Sequence, residues 1–251
     1  TERGRSFVKR AVDSAEEVIG TTDPVKFPDE NLEKVIRQKL NKYGRIYPSD
    51  LKWLTELSGK KEGIKSLEGL QYCVNLKKLD LRENSIVDLE PLAKLSDLRE
   101  LLLDENKITE IAPVFKLDSL EGLDLSQNKV SSISGIGQLQ KLVELSLNNN
   151  NLKDIGALSD LTGLRELYLR QNDISNLNPL SGLTELTHLN LAGNKILSIG
   201  PVKELKNLSE LGLSENDVAN ISPVKALRGL KKLWLAGNEI TNIDPIGGLT
   251  K

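Results

Sequence analysis

Asparagine returns in this chain at one fixed interval of 22 residues: Asn84, Asn106, Asn128, Asn150, Asn172, Asn194, Asn216 and Asn238. Leucines keep the same step, from Leu79 and Leu81 through Leu101 and Leu103 to Leu233 and Leu235. A period of this length means a solenoid, in which each unit touches only its neighbours and cannot bury its apolar face alone. The unit reads L-x-x-L-x-L-x-x-N-x-I-x-x-I-x-P-L-x-x-L. Stacked units of this kind make an extended surface, which points to binding rather than to a reaction centre.

Nine units begin at Leu54, Leu76, Leu98, Leu120, Leu142, Leu164, Leu186, Leu208 and Leu230; in the first, Glu62 stands where asparagine is due. The L-x-L alternation predicts a short half-buried strand, and stacking predicts a parallel sheet whose crossovers cover it. On the return leg, Ile86, Ile108, Val130, Ile174 and Ile196 are expected to point inward. The same holds for Leu89, Ile111, Ile133, Ile155, Leu177, Ile199, Ile221 and Ile243. Pro91, Pro113, Pro179, Pro201, Pro223 and Pro245 sit on this leg, where proline suits the first turn of a helix. A unit of 22 residues has no room for a long helix, so short 3₁₀ turns are expected on the convex side. Each asparagine follows its strand where the chain turns inward. A buried amide there is expected to satisfy orphan backbone groups rather than a ligand.

Solenoid ends need caps. Residues 25–53 supply one, with Asp29 the predicted N-cap of a helix carrying Leu32, Val35, Ile36 and Leu40 on one stripe. A second start at Ser49-Asp50-Leu51 leads into the repeats of residues 54–251, whose last unit stops without a C-terminal cap. Residues 1–24 lie outside the register. There Phe7, Val8, Ala11, Ala15, Val18 and Ile19 have the spacing of a short amphipathic lead helix or linker.

Charge argues against nucleic acid, because 34 basic residues face 36 acidic ones. No apolar run is long enough for a membrane span. Cys73 is the one cysteine and falls in the register of Leu95, Leu117 and Leu139, so a core position is expected and no disulfide. His188 is the one histidine, with no second ligand for zinc and no nucleophile beside it; no catalytic, cofactor or metal site is expected. The sequence carries no methionine, no signal peptide and no LPxTG sorting motif, which suggests a processed chain or an excised segment.

Residues that alternate with the strand leucines face away from the core, on the concave side. They form three columns of eight, and these 24 positions hold seven acidic and four basic residues. An acidic face disfavours nucleic acid and favours a partner with a basic patch. Leu102, Tyr168, His188 and Trp234 are its large residues, and outward register leaves them no core role. Together with Arg170, Glu166, Glu210, Asp80 and Asp124 they are the candidate partner-binding set. The partner expected is a protein; a glycan ranks behind it, and the chain is expected to be a monomer.

The cap string Phe27-Pro28-Asp29-x-Asn31-Leu32, with Ile36-Arg37 and Leu40 after it, resembles the cap of secreted bacterial leucine-rich repeat proteins. Ser49-Asp50-Leu51, Leu54-Thr55-x-Leu57, Ile64, Leu67 and Gly69-Leu70 continue the likeness, and Asn75-Leu76-x-x-Leu79-x-Leu81-x-x-Asn84 joins it to the repeats. Over residues 25–249 the chain is similar to internalin-type surface proteins of Gram-positive bacteria. That resemblance implies an α/β leucine-rich repeat solenoid: a right-handed arc with a parallel concave sheet, 3₁₀ turns on its convex side and a helical N-terminal cap. It also implies a non-catalytic adhesion or recognition module at the cell surface or outside the cell. An immunoglobulin-like domain often follows the repeats in that family, and none is found in this sequence. The 22-residue unit is also similar to intracellular repeat proteins, including a nuclear phosphatase regulator, which implies the alternative of a cytoplasmic scaffold or regulatory module.

Overall fold

The computed structural model describes residues 23–249. The helix expected from Phe7 to Ile19 lies outside the described residues.

Nine three-residue strands follow one another at the repeat interval: β1 (Glu56–Ser58), β2 (Lys78–Asp80), β3 (Glu100–Leu102), β4 (Gly122–Asp124), β5 (Glu144–Ser146), β6 (Glu166–Tyr168), β7 (His188–Asn190), β8 (Glu210–Gly212) and β9 (Lys232–Trp234). They form one parallel sheet in sequence order, each residue pairing with its counterpart 22 positions on, as Leu145 pairs with Leu167. Period-2 alternation then decides the faces. The middle leucine of β1 to β8 points inward and is buried, while its two neighbours face the concave side. The return legs cover the other face with short 3₁₀ turns, such as Ala112–Lys116 and Ser222–Ala226, and six of these nine turns carry proline in their first two positions.

Repeat five shows how one unit contributes to the core. Leu145, Leu147, Leu152, Ile155, Leu158 and Leu161 all lie at 2% exposure or less. Burying such a side chain contributes about 2 kcal/mol. Cys73 is wholly buried in the same cluster, and burial pushes its thiol up to about 12, so it is an apolar filler.

The asparagines stitch the units together. Asn150 Nδ2 donates to the carbonyls of Leu125 (2.9 Å), Leu147 (3.2 Å) and Asn148 (3.2 Å), and its Oδ1 accepts the Val130 N–H (2.9 Å). Two of these four groups belong to the preceding repeat. Asn84 at one end and Asn238 at the other make the same four bonds. The residue just before each ladder asparagine is left-handed, with φ from 52° at Asn149 to 69° at Gly237. This tight turn swings the amide inward. It stores backbone strain wherever the residue is not glycine.

The N-terminal end is covered by α1 (Glu30–Leu40) and α2 (Pro48–Leu51). Asp29 caps α1 as expected: Oδ1 accepts the N–H of Asn31 (3.0 Å) and Leu32 (3.1 Å). Its Oδ2 also accepts the N–H of Lys65 (2.6 Å) and Ser66 (3.0 Å), so one carboxylate fastens the cap to the first repeat. Glu62, out of place in the ladder, reaches Lys34 of α1 at 3.1 Å.

One inward expectation fails. Ile243 is 65% exposed, whereas Ile221 in the same register is 1% exposed. Burial at this position comes from the next repeat, and among the described residues none stacks on the ninth.

Candidate protein-binding face

The concave columns are held by backbone pairing, so their order is fixed by register. One runs Glu144, Glu166, His188, Glu210, Lys232; the next runs Ser146, Tyr168, Asn190, Gly212, Trp234.

Along the first column, polar contacts cross four strands. Tyr168 donates its hydroxyl to Glu166 Oε2 at 2.6 Å. His188 lies between two carboxylates, with Nδ1 at 4.0 Å from Glu166 and Nε2 at 3.8 Å from Glu210. The Thr187 hydroxyl sits 2.9 Å from the same Nδ1. Lys232 Nζ donates to Glu210 at 2.7 Å and holds that carboxyl below its usual range. Burial, then the hydrogen bond to Glu166, pushes the Tyr168 hydroxyl well up. Burial, then the charges of Glu166, Asp124 and Glu100, raises the Glu144 carboxyl. This stretch is an acidic band with a histidine inside it.

Towards the N-terminal strands the face is more closed. Asp80 is a correction: it was expected as an open binding carboxylate, yet its residue exposure is only 9%. Arg82 takes it in a paired contact, Nε to Oδ1 at 2.9 Å and Nη2 to Oδ2 at 2.7 Å, which lowers its pKa. Leu102 and Asp124 are half-buried, and Asp124 Oδ1 accepts the Ser126 N–H at 2.9 Å. Asp104, in the third column, has a buried Oδ1 with no hydrogen-bond partner among the described residues; Arg82 Nε stands 3.8 Å away. Burial, then the charge of Asp124, raises its carboxyl.

Towards the C-terminal strands the face opens into a shallow groove of about 270 Å³. Arg170 and Trp234 line it, Ala192, Gly212 and Ser214 give it a floor of small residues, and Glu215 lies at its rim. Gly212 leaves room for Asn190 beside it, since a Cβ there would stand 2.8 Å from Asn190 Oδ1. It also separates the predicted cluster into two parts. Tyr168, Glu166, His188 and Glu210 belong to the acidic band, while Arg170 shares its cavity with Trp234. Sequence reasoning missed this floor. Its signal was present as small residues at columns two and three, Gly212, Ala192 and Ser214, in place of larger neighbours.

Among the described residues, no group of three or more His, Cys, Asp or Glu side chains is placed to hold a metal, and no helix is long and apolar enough to cross a membrane.

The sequence matches the family model for leucine-rich repeats (two copies) over residues 74–116, 118–162, 140–182, 162–204 and 206–251. No curated protein sequence matches the chain. Among solved structures, an internalin (InlF) from Listeria monocytogenes is 29% identical with a TM-score of 0.78, the match covering 92% of this chain and 77% of that one. Internalin C2 from the same organism is also 29% identical, with a TM-score of 0.69 and coverage of 92% and 95%. InlJ of Listeria monocytogenes, at 20% identity and a TM-score of 0.56 over 91% of this chain and 66% of that one, shares the fold. Family model, cap and register agree: this chain belongs to the leucine-rich repeat family, on the internalin-type bacterial plan.

Proposed function

We propose that the chain is a protein-recognition module that binds through its concave face, as an adhesion or recognition part of a bacterial surface protein. The observation that carries this reading is Trp234, 48% exposed on a sheet face whose register gives it no core position. Large aromatics ringed by polar groups are the usual anchors of protein interfaces. Trp234 here is flanked by the acidic band and the groove. The likeness to internalins supports the surface setting.

The test compares two baits, the native chain and a Tyr168/His188/Trp234 triple alanine variant, against separate surface and cytosolic protein fractions. A surface protein that binds the native chain directly, at least thirtyfold tighter than it binds the variant, is the expected result; that factor corresponds to about 2 kcal/mol from one lost anchor. Equal retention by both baits would move the site off Tyr168, His188 and Trp234 and remove the observation that carries this reading. A partner found only in the cytosolic fraction would favour the scaffold reading.

A further inference from the structure

We propose that the groove between Arg170 and Trp234 recognises an extended peptide segment in which an Asp or Glu lies about three positions from a large apolar residue. The proposal rests on the concave-face reading and names the chemistry of the partner there.

Charge complementarity carries it. Three of the four basic residues in the concave columns have an intramolecular carboxylate: Lys78 with Glu100 (2.7 Å), Arg82 with Asp80 (2.7 Å) and Lys232 with Glu210 (2.7 Å). Arg170 is exposed and has no ion pair among the described residues. The one carboxylate at the groove, Glu215, is engaged at the rim, where Gln171 Nε2 reaches across Gly193 to its Oε2 at 3.1 Å. Only a residue without a side chain lets that bridge form, because a Cβ at Gly193 would lie 2.2 Å from Gln171 Nε2.

The remaining side chains lining the groove hold unused donors. Asn190 spends its Oδ1 on the Ala192 N–H (3.1 Å). Its Nδ2, the Ser214 hydroxyl and the Trp234 indole N–H make no hydrogen bond among the described residues. A groove with a guanidinium and spare N–H and O–H groups calls for acceptors, that is, a carboxylate and peptide carbonyls. The floor of Ala192, Gly212 and Ser214 lets a backbone lie close to the sheet. Arg170 follows β6 and Trp234 is on β9, three strand spacings apart, or ~14 Å. An extended chain covers that distance in ~4 residues. The carboxylate then meets Arg170 while the apolar side chain lies on the indole.

The test is selection of displayed random 12-residue peptides on the full chain, followed by affinity measurement of the enriched sequences. Arg170→Glu, Trp234→Ala and Glu144→Gln serve as comparison proteins, each with its melting temperature checked. The expected motif pairs Asp or Glu with an aromatic or branched aliphatic residue three or four positions away. Its affinity falls at least tenfold in Arg170→Glu and in Trp234→Ala, stays within twofold in Glu144→Gln, and recovers on Arg170→Glu when the peptide acid becomes Lys. Enrichment of basic peptides that lose affinity only in Glu144→Gln would overturn the groove and leave concave-face recognition standing. Peptides insensitive to all three substitutions would remove both. Absence of enrichment, with binding of a sialylated glycan that Arg170→Glu abolishes, would overturn the peptide in favour of an acidic sugar; absence of both overturns the proposal outright.

Discussion

The asparagine ladder and the concave face are built from the same repeats, a few residues apart, and obey opposite rules. On the ladder one residue type recurs eight times and makes the same four hydrogen bonds at each turn. On the concave face the equivalent positions change from repeat to repeat, so that β6 carries Tyr168 where β8 carries Gly212 and β9 carries Trp234. The reason is physical. A ladder amide must close backbone groups of two adjacent repeats, and only one side chain has that donor and acceptor set at that length. Concave positions need only tolerate a parallel neighbour at strand spacing. Uniformity therefore marks what stacking demands, and variation marks what stacking leaves to recognition.

The sharpest way to break this comparison is to remove one rung. Asn150→Ala leaves the Val130 N–H without a partner in the middle of the solenoid, where the residue is 8% exposed, and takes one of two donors from each of the Leu125, Leu147 and Asn148 carbonyls. A loss of about 2–3 kcal/mol is expected, from one buried N–H left unpaired together with three hydrogen bonds lost. Asn238→Ala removes the same four bonds where the amide is half-buried, and water replaces the partners at a cost of about 1 kcal/mol. Urea unfolding of both variants checks the difference. Equal losses would mean that the rungs act as a sum of local bonds, indifferent to burial.

Asp29 is the ladder's counterpart at the cap, and its removal is the next largest effect. Asp29→Ala should destabilise by about 1–2 kcal/mol, since four backbone donors lose one carboxylate. Burial alone would raise this carboxyl, but the N–H groups of Lys65, Ser66, Leu32 and Asn31 outweigh it and lower the pKa. The sign follows: with the folded pKa below the unfolded one, the contribution is full above about pH 4 and fades as pH falls through the folded value. Asp29→Asn keeps an acceptor and should flatten the acid limb of the stability curve while retaining part of the cap. An unchanged acid limb in that variant would assign the acid sensitivity elsewhere.

How far the sequence disclosed all this depends on whether the cause was local to one repeat. Strand register, the inward leucines and the proline turns were legible because a 22-residue step repeats the same local chemistry. Asp29 was legible as an N-cap, but its grip on Lys65 and Ser66 spans 36 and 37 positions and has no local pattern. Ile243 was misplaced because burial there is supplied by the neighbouring repeat rather than by the residue's own repeat. Asp80 faced the concave side as expected, but Arg82 two positions on was long enough to fold back and cover it. The groove was not legible because it is made by small side chains from two neighbouring repeats, and one small residue in a column does not by itself mark a cavity.

Gly193 tests the boundary between the two regions, since it lies on the ladder turn yet shapes the groove rim. Gly193→Ala puts a Cβ at φ 68° and against Gln171. Six of the seven other residues that precede a ladder asparagine in this left-handed conformation keep a side chain. The backbone cost is therefore bearable, about 1 kcal/mol. The expected outcome is a small drop in melting temperature together with loss of the Gln171–Glu215 bridge, which frees the Glu215 carboxylate beside Arg170. A variant with unaltered stability and unaltered peptide affinity would show that the rim bridge has no part in the groove.

Trp234→Ala should have the smallest effect on folding and the largest on recognition. The side chain is 48% exposed on the outer face of β9, so truncation removes little area that stacking depends on, and surface changes fall within about ±0.5 kcal/mol. The wild-type melting curve should be nearly superimposable on that of the variant. Affinity for the concave-face partner should nevertheless fall by thirtyfold or more, the loss of one interface anchor of about 2 kcal/mol. A stability loss above about 1 kcal/mol would make Trp234 a lid on the last repeat, where Leu233 and Leu235 are only partly buried. The variation seen along its column would then reflect the position of a repeat in the stack as well as what the face binds.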